Sequence, residues 1–176
     1  GDGASTAVFV DQPFLQRPGW EFIVGAPLLQ MVCDKPAPFS SSNGHAILEL
    51  GSSESREMLE LTALTKPGPF GTRTHELGTY LGVRDGGRLV AMAGERLKVP
   101  GFTEISAVCT HPEHTGKSYA RLLMSEIIAF ITNSFMHAGH DLTPCFSLPR
   151  TFFSFREFAL RLCQFPYPVE RMQVHR

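Results

Sequence analysis

Apolar positions along this chain switch between two periods, and the switches mark the elements. Tyr119, Leu122, Leu123, Ile127, Ile131 and Phe135 recur at steps of three, one and four, one face of a helix that starts near Tyr119. Gly139 fits its stop. Upstream, Phe102 to Thr110 reads as a strand, and His111-Pro112-Glu113-His114-Thr115-Gly116-Lys117-Ser118 is the tight loop between the two. Before it, Thr79 to Arg84 and Arg88 to Leu97 form a hairpin about Asp85-Gly86-Gly87, whose glycines suit positive φ. Pro100-Gly101 then turns the chain into the Phe102 strand.

Ala46 to Leu50 predicts a strand. Ser53 is placed to N-cap the next helix, with Glu54 in its first turn. That helix runs to about Thr65, with Met58, Leu61 and Leu64 on one face, and Pro67-Gly68-Pro69 end it. Thr72 to Leu77 suits a short second helix. Further on, Pro144 to Leu148 predicts a strand, Phe152 to Leu162 a helix and Glu170 to Val174 a last strand.

The first 45 residues differ in texture. Ala7 to Val10, Trp20 to Val24 and Leu28 to Cys33 are short strand signals, separated by Pro13, Pro18 and Pro27. They are expected to form an accessory, strand-rich segment, residues 1–45, packed on a core domain of residues 46–176. Pro36 to Asn43 is the best linker.

Composition changes this picture little. A chain of 176 residues, 43% hydrophobic and 19% charged, suits a single globular core. A net charge of −1 gives no reason to expect nucleic acid or an anionic membrane as partner. No apolar run approaches a membrane span. Cys33, Cys109, Cys145 and Cys163 show no C-x-x-C pair, which suggests reduced thiols and a cytoplasmic setting. A first residue that is Gly rather than Met fits a trimmed or tagged N-terminus. His137, His140 and Cys145 lack a fourth ligand at fitting spacing, so no metal is expected.

The loop carries the chemistry. A strand that feeds a helix through a short glycine-containing loop leaves N–H groups unpaired at the positive end of the helix dipole. That is an anion site, most often for phosphate. Gly116-Lys117-Ser118 spells the end of the P-loop NTPase motif, but His111 and Pro112 stand where that motif needs a glycine and a free N–H.

Val108 to Ala120 instead resembles the acetyl-CoA loop of the GNAT N-acetyltransferase superfamily, and within it the FR47-like proteins. Gly116, Tyr119 and Ala120 match the family pattern; Thr115 replaces its usual Arg or Gln, and Ser118 its second Gly. The resemblance covers Ala46 to about Gly139. It implies an α/β (α+β) fold, a GNAT-like mixed central sheet flanked by helices, and acetyl transfer from acetyl-CoA to the amine of an unidentified acceptor. It also implies that Thr115, Gly116, Lys117, Ser118, Tyr119 and Ala120 hold the pyrophosphate. Val108, Cys109 and Thr110, on a strand that splays from its neighbour, would bind the pantetheine arm, with an N–H near Val108 facing the thioester oxygen.

Such a reaction needs an amine without its extra proton, and a lysine-type amine has a pKa near ~10.4. By resemblance Glu104 is the general base, against a strand-end carboxylate paired with an arginine such as Arg96. Glu95, on the adjacent strand, is the alternative base through water. The family's acid is a Tyr on the last helix; Phe158 stands near that place, and Tyr167 is the nearby phenol. Cys109 reads as a buried strand cysteine rather than a nucleophile. His111 and His114 flank the loop, either as phosphate contacts or as ordinary loop histidines. The Phe146 to Phe158 cluster suits core, or a self-association face that allows a homodimer. The competing class is a catalytically weak GNAT-like module that binds CoA or a protein partner.

Overall fold

The computed structural model describes residues 5–10, 15, 18–19, 21–33, 45–99, 102–136, 143–148, 161–162 and 169–175. In chain order these form β1 (Ser5–Val10), β2 (Glu21–Val32), β3 (Ile47–Leu50), α1 (Ser55–Thr65), β4 (Tyr80–Asp85), β5 (Arg88–Val99), β6 (Phe102–Thr110), α2 (Tyr119–Met136), β7 (Thr143–Leu148), β8 (Arg161–Leu162) and β9 (Val169–His175). The strands make one mixed sheet in the order β1-β9-β2-β7-β6-β5-β4-β3, with β8 also on β2. Neighbours are antiparallel except β6 and β7, which run parallel. A parallel pair needs a crossover, and α2 lies within it.

The hairpin forms where it is predicted. Gly86 and Gly87 take φ +58° and +83°, the left-handed pair that a two-residue turn between twisted strands requires. The face predicted on α2 is buried: Tyr119, Leu122, Leu123, Ile127 and Ile131 pack with Val83, Val90, Ala91, Ala93 and Ile105. Phe135 and Gly139 lie outside the described side chains. The opposite face of the sheet packs Leu50, Tyr80, Leu89, Met92 and Cys109 against Met58 and Leu61 of α1. At roughly 1.5–3 kcal/mol for each large apolar side chain removed from water, these two layers dominate the folding energy of this half.

Local details depart from the prediction. Ser53 does not cap α1. A 3-10 turn, Ser52–Glu54, leads into the helix, and Glu54 rather than Ser53 accepts the Gly51 N–H at 2.8 Å. Leu64 is half exposed; the buried face is Met58, Leu61 and Thr62, whose hydroxyl donates to the Met58 carbonyl at 2.9 Å. Thr62, not Leu64, falls at i+4 from Met58. Lys66 at φ +51° closes the helix before Pro67 does. The predicted short helix is a 3-10 turn, Thr74–Leu77.

The two predicted strands Trp20 to Val24 and Leu28 to Cys33 are one strand, β2, running through Pro27. The β7 ladder begins only at Leu29, so on that edge a residue without an N–H loses no bond. β2 sits between β9 and β7, within the main sheet. The helix predicted to reach Leu162 does not: Arg161–Leu162 is a strand paired with Met31 and Val32, and residues 151–160 lie outside the described ones.

Candidate active site

Strand β6 builds the site by keeping β5 along its length and pairing β7 over its first part only. Its first part pairs with β7 from Phe102 to Ile105. β7 also pairs β2, from Cys145 to Leu148, and past Phe146 only that ladder continues. Among the described residues no strand pairs that edge of β6 from Ser106 onward. On the other edge, Gly94 faces Ser106 while Met92 faces Cys109, so Ala107 and Val108 together oppose Ala93 in a bulge. Ala107 sits at φ +53°, which costs an alanine about 1–2 kcal/mol. The His111 N–H donates to the Val90 carbonyl at 2.7 Å, so alternation turns the Thr110 N–H and C=O toward the unpaired edge. The parted edge runs straight into the loop before α2.

That loop is tightly folded. Pro112–His114 is a 3-10 turn, in which the His114 N–H donates to the His111 carbonyl at 2.9 Å. The Thr115 hydroxyl donates to the Pro112 carbonyl at 3.0 Å. Gly116 takes φ +78° and Ser118 takes φ +62°. The first helical bond runs from the Leu122 N–H to the Ser118 carbonyl at 3.0 Å, so the Tyr119 and Ala120 N–H groups lie ahead of the helical ladder. Thr115, Gly116, Lys117 and Ser118 are exposed, while Tyr119 is buried and fixes the helix to the sheet.

Lys117 is not a freely solvated side chain. Its Nζ donates to Asp85 at 3.1 Å and lies 3.4 Å from His114 Nδ1. That hydrogen bond holds the Asp85 carboxyl below the usual aspartate range. The hairpin turn is thereby tied to the loop.

Glu104 lies at the other end of β6, buried, and Arg96 grips it with two hydrogen bonds of 2.7 and 3.0 Å. The arginine pairing weighed from the sequence is therefore present. Glu95 is buried too; it accepts the Thr79 N–H at 2.9 Å and faces the Lys98 ammonium at 3.1 Å. Tyr80 was missed by the sequence reading. Fully buried, it packs edge-on to Phe70, and its hydroxyl has no hydrogen-bond partner among the described residues. Burial pushes its phenol up to about 12, and Arg96, Glu104 and Glu95 all act on it electrostatically. Only its place opposite Gly94, where the ring needs a residue without a side chain, could have signalled it.

Cys109 is buried, and burial pushes its thiol up to about 11, as a strand cysteine outside nucleophilic chemistry. Tyr167, His137 and His140 lie outside the described residues, and Cys145 is described only as a position in β7. Among the described residues, no helix is long and apolar enough to cross a membrane.

The FR47-like protein family matches residues 80–142, from β4 past the end of α2. A crystal structure from Novosphingobium aromaticivorans, described as an acetyltransferase of the GNAT family, is 31% identical. It superposes with a TM-score of 0.82 over 100% of this chain and 76% of its own. A GCN5-related N-acetyltransferase from Kribbella flavida, 14% identical, gives a TM-score of 0.55 over 89% of this chain and 60% of that one. A Drosophila protein, 12% identical, gives 0.57 over 88% and 52%. The last two share the fold. No curated protein sequence matches the chain.

Proposed function

This chain belongs to the GNAT superfamily of N-acetyltransferases, in its FR47-like group, and from that premise we propose that it moves an acetyl group from acetyl-CoA to the amine of an acceptor by direct attack in a ternary complex. The observation that carries the proposal is the end of the β6–β7 pairing at Ile105, on the strand that leads through an exposed loop into α2. An extended thioester arm can lie along the open edge at Val108, Cys109 and Thr110. Its diphosphate then meets Thr115 to Ala120, where backbone N–H groups and the α2 dipole favour negative charge. A backbone N–H near Val108 polarises the thioester carbonyl as its oxygen gains charge.

Glu104 takes the amine proton in this reading. Two of its acceptor positions serve Arg96, and a carboxylate has about four, so a further donor can be accommodated. Glu95 is the alternative, acting through water. Tyr167 remains the proposed acid, and a thiolate with a solution pKa near ~8.5 leaves readily without full protonation.

A second reading, a catalytically weak module that binds CoA or a protein, draws on two observations. Ser118 stands in a left-handed conformation suited to glycine, and Glu104 is held by an arginine. One experiment separates the readings. Acetyl-CoA is titrated calorimetrically into wild type and Gly116→Trp, then thiol release is followed across a panel of amines with Glu104→Gln as control. Binding lost in Gly116→Trp, together with amine-dependent release lost in Glu104→Gln, supports the transferase. Binding without turnover supports the module, and no binding at millimolar acetyl-CoA overturns both uses of the loop.

A further inference from the structure

The 3-10 turn before the loop carries a second cluster, which acyl transfer does not use. His111, Glu113 and His114 each offer a ligating atom, all within 4.8 Å of one another. The turn itself produces this, because three residues per turn stack positions i and i+3 on one side. The two imidazoles meet edge to face with centroids 5.6 Å apart. His111 is buried, and its Nδ1 accepts the Glu113 N–H at 3.3 Å. The Glu113 carboxylate lies 3.8 Å from the same Nδ1. Asp85 comes in from the hairpin turn, 3.2 Å from His114 Nδ1.

We propose that His111, Glu113 and His114 form a binding site for a divalent transition-metal ion of the zinc class. Two imidazoles and one carboxylate, with water in the fourth position, are a donor set that zinc accepts, in tetrahedral geometry with bonds of about 2.0–2.2 Å. Neighbouring donors in such a shell are about 3.3–3.5 Å apart. The His111–Glu113 spacing of 3.8 Å needs a shift of a few tenths of an ångström, and an ion at His111 Nδ1 would replace the Glu113 N–H there. A cation already stands beside this cluster: the Lys117 ammonium is 3.1 Å from Asp85 and 3.4 Å from His114 Nδ1. A divalent ion bound beside His114 would compete with Lys117 for this place.

The test uses the full chain, stripped of metal with a chelator and free of CoA. Zinc chloride is titrated calorimetrically, and cobalt(II) is followed by visible absorption. The expected result is one ion per chain at micromolar affinity, with the intense bands of tetrahedral cobalt. His114→Ala and Glu113→Gln should each weaken binding at least about tenfold, and Lys117→Ala should strengthen it. His111 also orders the turn, so the exposed Glu113 and the half-buried His114 carry the test, with circular dichroism as the folding control. No stoichiometric binding below millimolar zinc would overturn the proposal. So would binding that His114→Ala and Glu113→Gln leave unchanged, since the ion would then lie elsewhere on the chain.

Discussion

Arg96 donates two hydrogen bonds to Glu104 across the β5–β6 ladder, and neither side chain is more than 13% exposed. A buried carboxylate stripped of its cation costs far more than the pair contributes. Arg96→Met should therefore lower unfolding free energy by about 3–5 kcal/mol, read from urea denaturation. The double variant Arg96→Met/Glu104→Leu should recover most of that loss. No recovery in the double variant would show that the arginine serves something other than Glu104.

Ser118 pays a conformational penalty that a glycine would not. At φ +62° it occupies a region that costs a residue with a Cβ about 1 kcal/mol. Ser118→Gly should raise stability by a few tenths to about 1 kcal/mol, and on the transferase reading it should tighten acetyl-CoA binding. Ser118→Val should destabilise. Thermal melts of the three proteins would rank Gly, Ser, Val from highest to lowest.

Tyr80 and Gly94 test each other. A Cβ at Gly94 would come within 2.3–2.5 Å of the Tyr80 ring, so Gly94→Ala should cost about 3 kcal/mol or more. Tyr80→Phe keeps the ring and removes a buried hydroxyl without a partner among the described residues. It should leave stability unchanged or slightly raised. A loss above about 1 kcal/mol in Tyr80→Phe would mean that the hydroxyl is bonded in solution.

Asp85 sets a pH dependence. Its folded pKa is depressed by Lys117, so the stability it adds is present above the ordinary aspartate value of about ~3.9 and is lost as pH falls through the lowered value. Lys117→Met should lower stability by a constant amount above about pH 4 and flatten the acid limb below it, so that the two profiles converge at low pH. A mutant profile parallel to wild type throughout would remove Lys117 as the cause.

Cys109 should resist alkylation. Its thiol is buried and pushed up to about 11, so almost no thiolate is present or reachable at pH 8. Iodoacetamide followed by peptide mass spectrometry should leave Cys109 unmodified in the folded protein and modify it in urea. Rapid native labelling would contradict the packing of β6 against α1.

The strand, loop and helix from Phe102 onward were legible because each carries its own periodicity, and the observed strand Phe102–Thr110 has the predicted ends. The hairpin was legible for a similar local reason: Gly86 and Gly87 can adopt what the turn demands. What stayed hidden depends on partners distant in sequence. Pro27 reads as a break until β7 is seen to start beyond it. Leu64 reads as core until Thr62 satisfies its own hydroxyl and takes the buried place. The tie of Lys117 to Asp85 spans 32 residues, and no spacing rule could have announced it. The left-handed Ser118 is the mixed case: the family pattern marks the position, and only the backbone shows that it keeps the glycine conformation.

The braid of β1, β9 and β2 imposes an order on synthesis. β9 lies between two N-terminal strands, so among the described residues β1 and the first half of β2 have no ladder partner until residues near 170 have left the ribosome. The β4–β5–β6 meander can pair as it emerges, because its contacts are local. From the emergence of Thr110 until that of β9, the nascent chain therefore holds an assembled centre beside unpaired strand edges. Edges of that kind are what chaperones cover, and what pairs wrongly when they do not.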